Sequence, residues 1–228
     1  MERRVVITGM GAITPVGNDV ETYWNGLKSG QNGIDEITAF DTTDFDVKLA
    51  AEVKNFVPKD YMDLKLTKRM DRYSQFAVAA TKEAMQQANL DLDAIDHERF
   101  GVMVGSGIGG LSTIEAEIDK LTKRGPKRVN PLTIPMIIGN MAAGNIAIRL
   151  GFKGMCTCVV TACASSTHSI GEAFEYIKSG DVQSIRISTR PDYINKDILK
   201  MLKKSINFTL FFESHNLFSI FVANEFDI

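Results

Sequence analysis

The chain of 228 residues is 24% charged and 44% hydrophobic, with a formal net charge of −2. That composition excludes a disordered chain and leaves material for one generous core or two small ones. The near-neutral balance offers no footprint for nucleic acid or an anionic membrane, and no apolar run approaches the roughly 20 residues that span a bilayer.

Residues 5–8 form a short β-branched apolar run that ends in Gly9-Met10-Gly11. This reads as a strand entering a tight turn, with Pro15 and Gly17 continuing the loop. Asn18 or Asp19 can cap a helix through Trp24 and Leu27 that stops at Gly30. Residues 34–60 carry mixed signals, and alternation over 48–53 suggests an edge strand. A strong helix is predicted over 70–88, where Tyr73, Phe76, Ala77, Ala80 and Ala84 share one stripe. A second apolar strand, 100–104, runs into Gly105-Ser106-Gly107-Ile108-Gly109-Gly110. A helix over 112–123 and a loop carrying Pro126, Pro131 and Pro135 come next. They are followed by a small-residue helix over 139–150, a buried strand over 158–161, and a helix over 165–178 ended by Gly180. Strand and helix thus alternate with Gly-rich connections, which predicts an α/β fold around a largely parallel, covered sheet.

The pattern breaks near residue 184. All 18 glycines lie at or before Gly180, whereas the last 45 residues hold six of the 13 phenylalanines. Residues 197–204 can form an amphipathic helix, but 208–212 and 217–222 are apolar runs without turn chemistry. Local signals in a natural domain normally agree with one another. The expected division is therefore a domain over 1–183 and an aberrant tail over 184–228, read as a frame change or a small extension.

The chemistry concentrates at Val159-Val160-Thr161-Ala162-Cys163-Ala164-Ser165-Ser166, an apolar strand that breaks into a helix with a cysteine at the junction. A helix N-terminus presents unpaired N–H groups and a positive dipole end, both of which favour a thiolate and lower a cysteine pKa. The same N–H groups can stabilise the oxyanion formed when a thiolate attacks a thioester. Small neighbours leave room for a substrate. On spacing alone a nucleophile and a buried structural cysteine remain open, because free cysteine is often a small core residue. Cys156 and Cys158 point to one face of a strand with no second ligand pair, so they read as core cysteines and not as a metal site. Three cysteines in all make no disulfide framework, and the N-terminus lacks the features of a signal peptide, so a reducing cytoplasm is expected. His97 reads as solvated, His168 as turned away from Cys163, and His215 falls in the aberrant tail. The 105–110 loop lacks the register of a dinucleotide or phosphate loop and reads as a tight strand-to-helix turn. Lys65, Lys68 and Arg69 form a basic cluster, a solvated face that can also meet an acidic partner.

Several ordered motifs resemble the β-ketoacyl-(acyl carrier protein) synthases, of the elongating bacterial type II kind. They are Val5-Val6-Ile7-Thr8-Gly9-Met10-Gly11 with Pro15-Val16-Gly17, the 105–110 loop, Asn130-Pro131, Thr161-Ala162-Cys163-Ala164-Ser165-Ser166, and Tyr176-Ile177-Lys178-Ser179-Gly180-Asp181. The resemblance covers residue 1 to about 182. It implies one half of a thiolase-like fold, in which two similar halves stack as five αβαβα layers and pair as a homodimer. It implies Cys163 as the nucleophile that takes an acyl chain from acyl carrier protein. Malonyl-carrier protein then loses carbon dioxide, and the carbanion attacks the acyl-cysteine. Ile108 matches a position along the acyl pocket, Ala162 one beside the nucleophile, and Lys65, Lys68 and Arg69 the surface that receives the acidic carrier protein. No metal or organic cofactor is implied. In such synthases two histidines, a lysine and a second oxyanion N–H come from the C-terminal half, and none of these positions can be carried over. After Val182 the family continues into a Gly-Gly-Thr-Glu segment, which this chain lacks. The chain is therefore expected to be a truncated copy of a fatty-acid condensing enzyme, inactive in condensation. The alternatives are a non-catalytic partner of an intact synthase and a truncated pseudoenzyme that retains only acyl-Cys formation. An inner helix face is expected to lie exposed as an apolar patch.

Overall fold

β1 (Val5–Ile13) does not turn at its glycines but continues through them, with a shift in its pairing register between Ile7 and Gly9. The reason lies in the helix above it. A side chain placed on Gly9 or Gly11 would put its Cβ 2.0 Å from Ala84 O or 1.9 Å from Ala80 O. These glycines are therefore where the backbone of α3 (Arg72–Ala88) rests directly on the strand. The computed structural model describes residues 4–180, 184–189 and 217–224. The predicted helix over 197–204, the apolar run 208–212 and His215 lie outside them.

Five strands form the main sheet in the order β1, β7, β6, β4, β5. β4 is Phe100–Gly105, β5 is Cys156–Val159, β6 is Ser184–Thr189 and β7 is Leu217–Asn224. β4 pairs in parallel with both β5 and β6, while β7 runs antiparallel between β6 and β1. Four strands thus point the same way, and the backbone of the tail region supplies both β6 and β7. All six residues of β4 are buried, which requires cover on both faces. α3 and α6 (Met141–Leu150) pack together on one face, and α7 (Ser165–Ser179) covers the other. The stripe predicted on α3 is the buried one, with Phe76, Ala77, Ala80 and Ala84 all in the core.

β2 (Asp35–Glu36) and β3 (Leu49–Ala50) form a separate two-stranded ribbon, shorter than the predicted 48–53 strand. α1 (Val20–Ser29) is capped by Asp19, whose carboxylate accepts from Thr22 N at 2.7 Å. Trp24 and Leu27 are exposed there, not buried, because α1 sits at the rim. α2 (Leu64–Thr67), α4 (Leu111–Arg124) and α5 (Thr133–Ile137) complete the helices. α5 falls where a plain loop was predicted. The exposed residues of α7 are mostly polar or small, among them Thr167, His168, Gly171, Glu172 and Glu175, whereas α4 exposes Leu111, Ile118 and Leu121 and α5 exposes Ile134. No described helix is long and apolar enough to cross a membrane.

Candidate active site

β4 and β5 run in parallel, so their carboxyl ends open onto the same end of the sheet. Crevices at this end are the usual ligand sites of α/β folds. From β4 comes the 105–110 loop, and from β5 comes Val160-Thr161-Ala162-Cys163. The two are tied together where Ser106 N donates to Val159 O at 3.2 Å. Gly109 has φ +82, and a Cβ there would lie 2.2 Å from Ile137 O. Its N–H donates to Ser106 Oγ at 3.0 Å, and Gly110 N donates to Ile137 O at 2.9 Å. The loop is thus moulded onto the end of α5, which fits the reading of it as a tight structural turn.

Cys163 is exposed and lies in a single tight turn, Ala162–Ala164, that leads directly into α7. Ala162, the residue before it, has φ +49. A non-glycine residue there costs on the order of 1 kcal/mol or more and persists only where its surroundings enforce it. The α7 N-terminus has no side-chain cap, and among the described residues the Cys163 N–H meets no acceptor. The geometry is a sharp elbow that lifts the thiol off the sheet with an open N–H beside it. A side chain grown on Gly107 would come within 3.9 Å of Ala162, so the two loops abut. Ile108 is 66% exposed at this mouth.

The basic cluster reaches the same end by a different route. Lys65 lies in α2, Lys68 and Arg69 follow it, and all three are exposed. Two residues on, Asp71 caps α3 and also accepts from Thr113 N at 3.0 Å and Thr113 Oγ1 at 2.6 Å, at the start of α4. Since α4 starts where the 105–110 loop ends, Asp71 anchors the basic turn beside that loop. The structure thus brings Cys163, Ala162, Ile108 and the basic turn to one end of the sheet.

The other sequence-level candidates settle differently. Cys156 is exposed and Cys158 only partly buried, because β5 is an edge strand; neither is a core cysteine in the full sense. His97 is not simply solvated: its ring nitrogens lie 3.0 Å from Gly151 O and 2.8 Å from Leu92 O, tying the turn before β4 to the end of α6. His168 is exposed on α7. A hollow of about 620 Å³ lies between the C-terminal halves of α3 and α6, and no candidate residue lines it. In the sequence Ser165 reads only as a small neighbour of the cysteine, yet it is 2% exposed with its hydroxyl turned back into the elbow. Only its place two residues after the cysteine could have marked it.

A family model described as the N-terminal domain of β-ketoacyl synthases matches residues 2–185. The chain belongs to the β-ketoacyl synthase family. It is 49% identical over 183 residues to 3-oxoacyl-(acyl-carrier-protein) synthase 2 of Staphylococcus aureus (strain COL), covering 80% of this chain and 44% of that protein. The synthase 2 of Synechocystis is 46% identical over 179 residues, covering 78% and 43%. The chain therefore spans less than half the length of these curated relatives. Among solved structures, the ishigamide ketosynthase/chain length factor superposes with a TM-score of 0.79 at 25% identity, covering 99% of this chain and 59% of that one. A type II ketosynthase in complex with its acyl carrier protein superposes with a TM-score of 0.73 at 22% identity, covering 98% and 63%. The fold of this β-ketoacyl synthase chain is thus the thiolase-like α/β fold that its sequence motifs imply.

Proposed function

We propose that this chain carries the acyl-accepting centre of a fatty-acid condensing enzyme, with Cys163 as its nucleophile. The observation that carries the reading is the elbow: an exposed thiol at an uncapped helix N-terminus, preceded by left-handed Ala162 and flanked by an open N–H. In the reaction, the Cys163 thiolate attacks the carbonyl carbon of an acyl thioester. The carbonyl oxygen gathers negative charge and accepts from the Cys163 N–H. The carbon–sulfur bond of the incoming thioester then breaks, and the carrier sulfur leaves as a thiolate that takes up the proton the Cys163 thiol gave up, while the acyl group stays on Cys163.

The substrate is read as an acyl chain on acyl carrier protein. Lys65, Lys68 and Arg69 stand exposed beside the mouth, where an acidic carrier would meet them. Ile108 and Ala162 border the path of the chain. In the whole protein the reading extends to decarboxylative condensation with malonyl-acyl carrier protein. That step needs histidines, which the resemblance puts in the half this chain's match does not reach. A homodimer is also proposed, supported by the edge strand β5, which carries exposed Cys156 and is followed by Val160 at 61% exposure. The chain length factor pairing in one similar structure is in keeping with it.

The test is transfer of a radiolabelled acyl group from acyl carrier protein to the purified chain, followed by peptide mass mapping. Label on the Cys163 peptide supports the reading. Equal labelling of a Cys163→Ala variant would sink it.

A further inference from the structure

We infer that Ser165 is the positioning residue that aims the Cys163 N–H into the site, and this inference rests on the acyl-acceptor reading above. Its hydroxyl sits inside the elbow and serves both of its arms. It accepts from Thr161 N at 2.9 Å and donates to Ala162 O at 2.7 Å. The backbone N–H of Ser165 reaches the same Ala162 oxygen.

The consequence follows from peptide geometry. A trans peptide unit is planar, with its C=O and N–H on opposite sides. The unit that joins Ala162 to Cys163 has its carbonyl held inward by two donors, both from Ser165. Its N–H, which belongs to Cys163, must then point outward. That is the N–H which, among the described residues, meets no acceptor. The same pair of bonds explains how Ala162 is kept at φ +49, since relaxing that angle would swing the carbonyl off the Ser165 hydroxyl. Thr161 N has just left the sheet, and it too would lose its partner. The hydroxyl of buried Ser165, with its two bonds at 2.9 and 2.7 Å, is the kind of fixed donor–acceptor that can hold a strained unit in place.

Ser165 does not touch the acyl group, so its removal should be felt only where the N–H is used. Two probes separate the cases. Iodoacetamide alkylates a thiolate by displacement at carbon and builds no oxyanion. A short acyl thioester of N-acetylcysteamine acylates through a tetrahedral oxyanion. In Ser165→Ala the acylation rate should fall about 10- to 100-fold, part of the loss seen when an oxyanion donor is removed outright. The alkylation rate should stay within about threefold of the parent chain, so the ratio of the two changes by an order of magnitude or more. Ser165→Thr keeps the hydroxyl and restores the ratio. Ser169→Ala removes another buried hydroxyl of α7, one that donates to Ser165 O and not to the elbow, and leaves the ratio unchanged. Circular dichroism of each variant accompanies the rates.

Equal losses with both probes in a folded Ser165→Ala, or an unchanged acylation rate, overturn the inference and leave Cys163 as the acceptor. Failure of the thioester to acylate the parent chain while iodoacetamide labels it overturns the acyl-acceptor reading and this inference with it.

Discussion

A strand edge and a strand end in this molecule are handled in opposite ways. Along the free edge of β1, polar groups are closed off. Met10 N donates to Gln87 Oε1 and Ala12 N to Glu83 Oε2 at 2.8 Å, while the other Glu83 oxygen accepts from Val20 N at 2.9 Å. The match is geometric: four residues along a helix advance about 6 Å, and two along a strand about 6.8 Å. One face of α3 can therefore seal alternate donors of the strand, and the glycines let it come close enough. At the end of β5 a side chain again bonds to backbone, here the buried Ser165, but the arrangement leaves one donor open. Ser165 satisfies Thr161 N and Ala162 O and thereby turns the Cys163 N–H outward. The edge spends its polar side chains on closing the fold, and the elbow spends one on keeping a donor free.

Substitutions can break this contrast, and the largest effect is expected at the elbow. Cys163→Ala should abolish acyl labelling altogether while leaving the urea unfolding midpoint nearly unmoved, because the thiol is exposed and packs little. A midpoint shift as large as a core mutant's would mean that the cysteine is structural.

At the edge the effect should be on stability. Gly11→Ala puts a methyl into Ala80 O and should cost about 3 kcal/mol in equilibrium urea unfolding. A cost below about 0.5 kcal/mol would show that α3 is not held against β1.

Charge reversal at Lys65, Lys68 and Arg69 together should slow acylation from acyl carrier protein about tenfold at low salt, with the difference shrinking as salt is raised. An equal loss with the N-acetylcysteamine thioester would remove the cluster from carrier docking.

The smallest effect is a pH dependence of the edge clamp. Burial raises the Glu83 pKa above its ordinary 4.5, despite the two N–H donors that oppose the shift. A raised carboxyl binds protons more readily in the folded chain. Its stabilising contribution is thus complete below the ordinary value and is lost as pH climbs through the raised one. The unfolding midpoint of the parent chain relative to Glu83→Gln should decline from pH 4.5 upward. A difference that does not vary with pH would mean that Glu83 is not buried in solution.

Much of this was legible in the primary structure. The stripe on α3 was readable because helical periodicity is local, and the Asp19 cap and the Gly180 stop because cap chemistry is local too. The junction around Cys163 stood out because an apolar strand running into small residues and a helix leaves a mark over eight positions. Errors came where distant chain decided the outcome. Gly9 and Gly11 looked like a turn because glycine usually signals backbone freedom, but here they answer to a helix some seventy residues later. His97 looked solvated because its neighbours in sequence are charged, while its partners are carbonyls at Leu92 and Gly151. The stretch from 184 looked foreign, and the family match stops at residue 185. Yet backbone pairing asks only for an extended chain, and β6 and β7 occupy the middle of the sheet.

The sequence by itself determined the family, the α/β class and the cysteine at a helix start, because each rests on short-range pattern and side-chain type. The tertiary structure alone decided that the 105–110 loop, the basic turn and Cys163 share one end of the sheet, and that Ser165 faces into the elbow. Those are matters of strand direction and peptide orientation, which are fixed only when separate segments pack and no residue type encodes by itself.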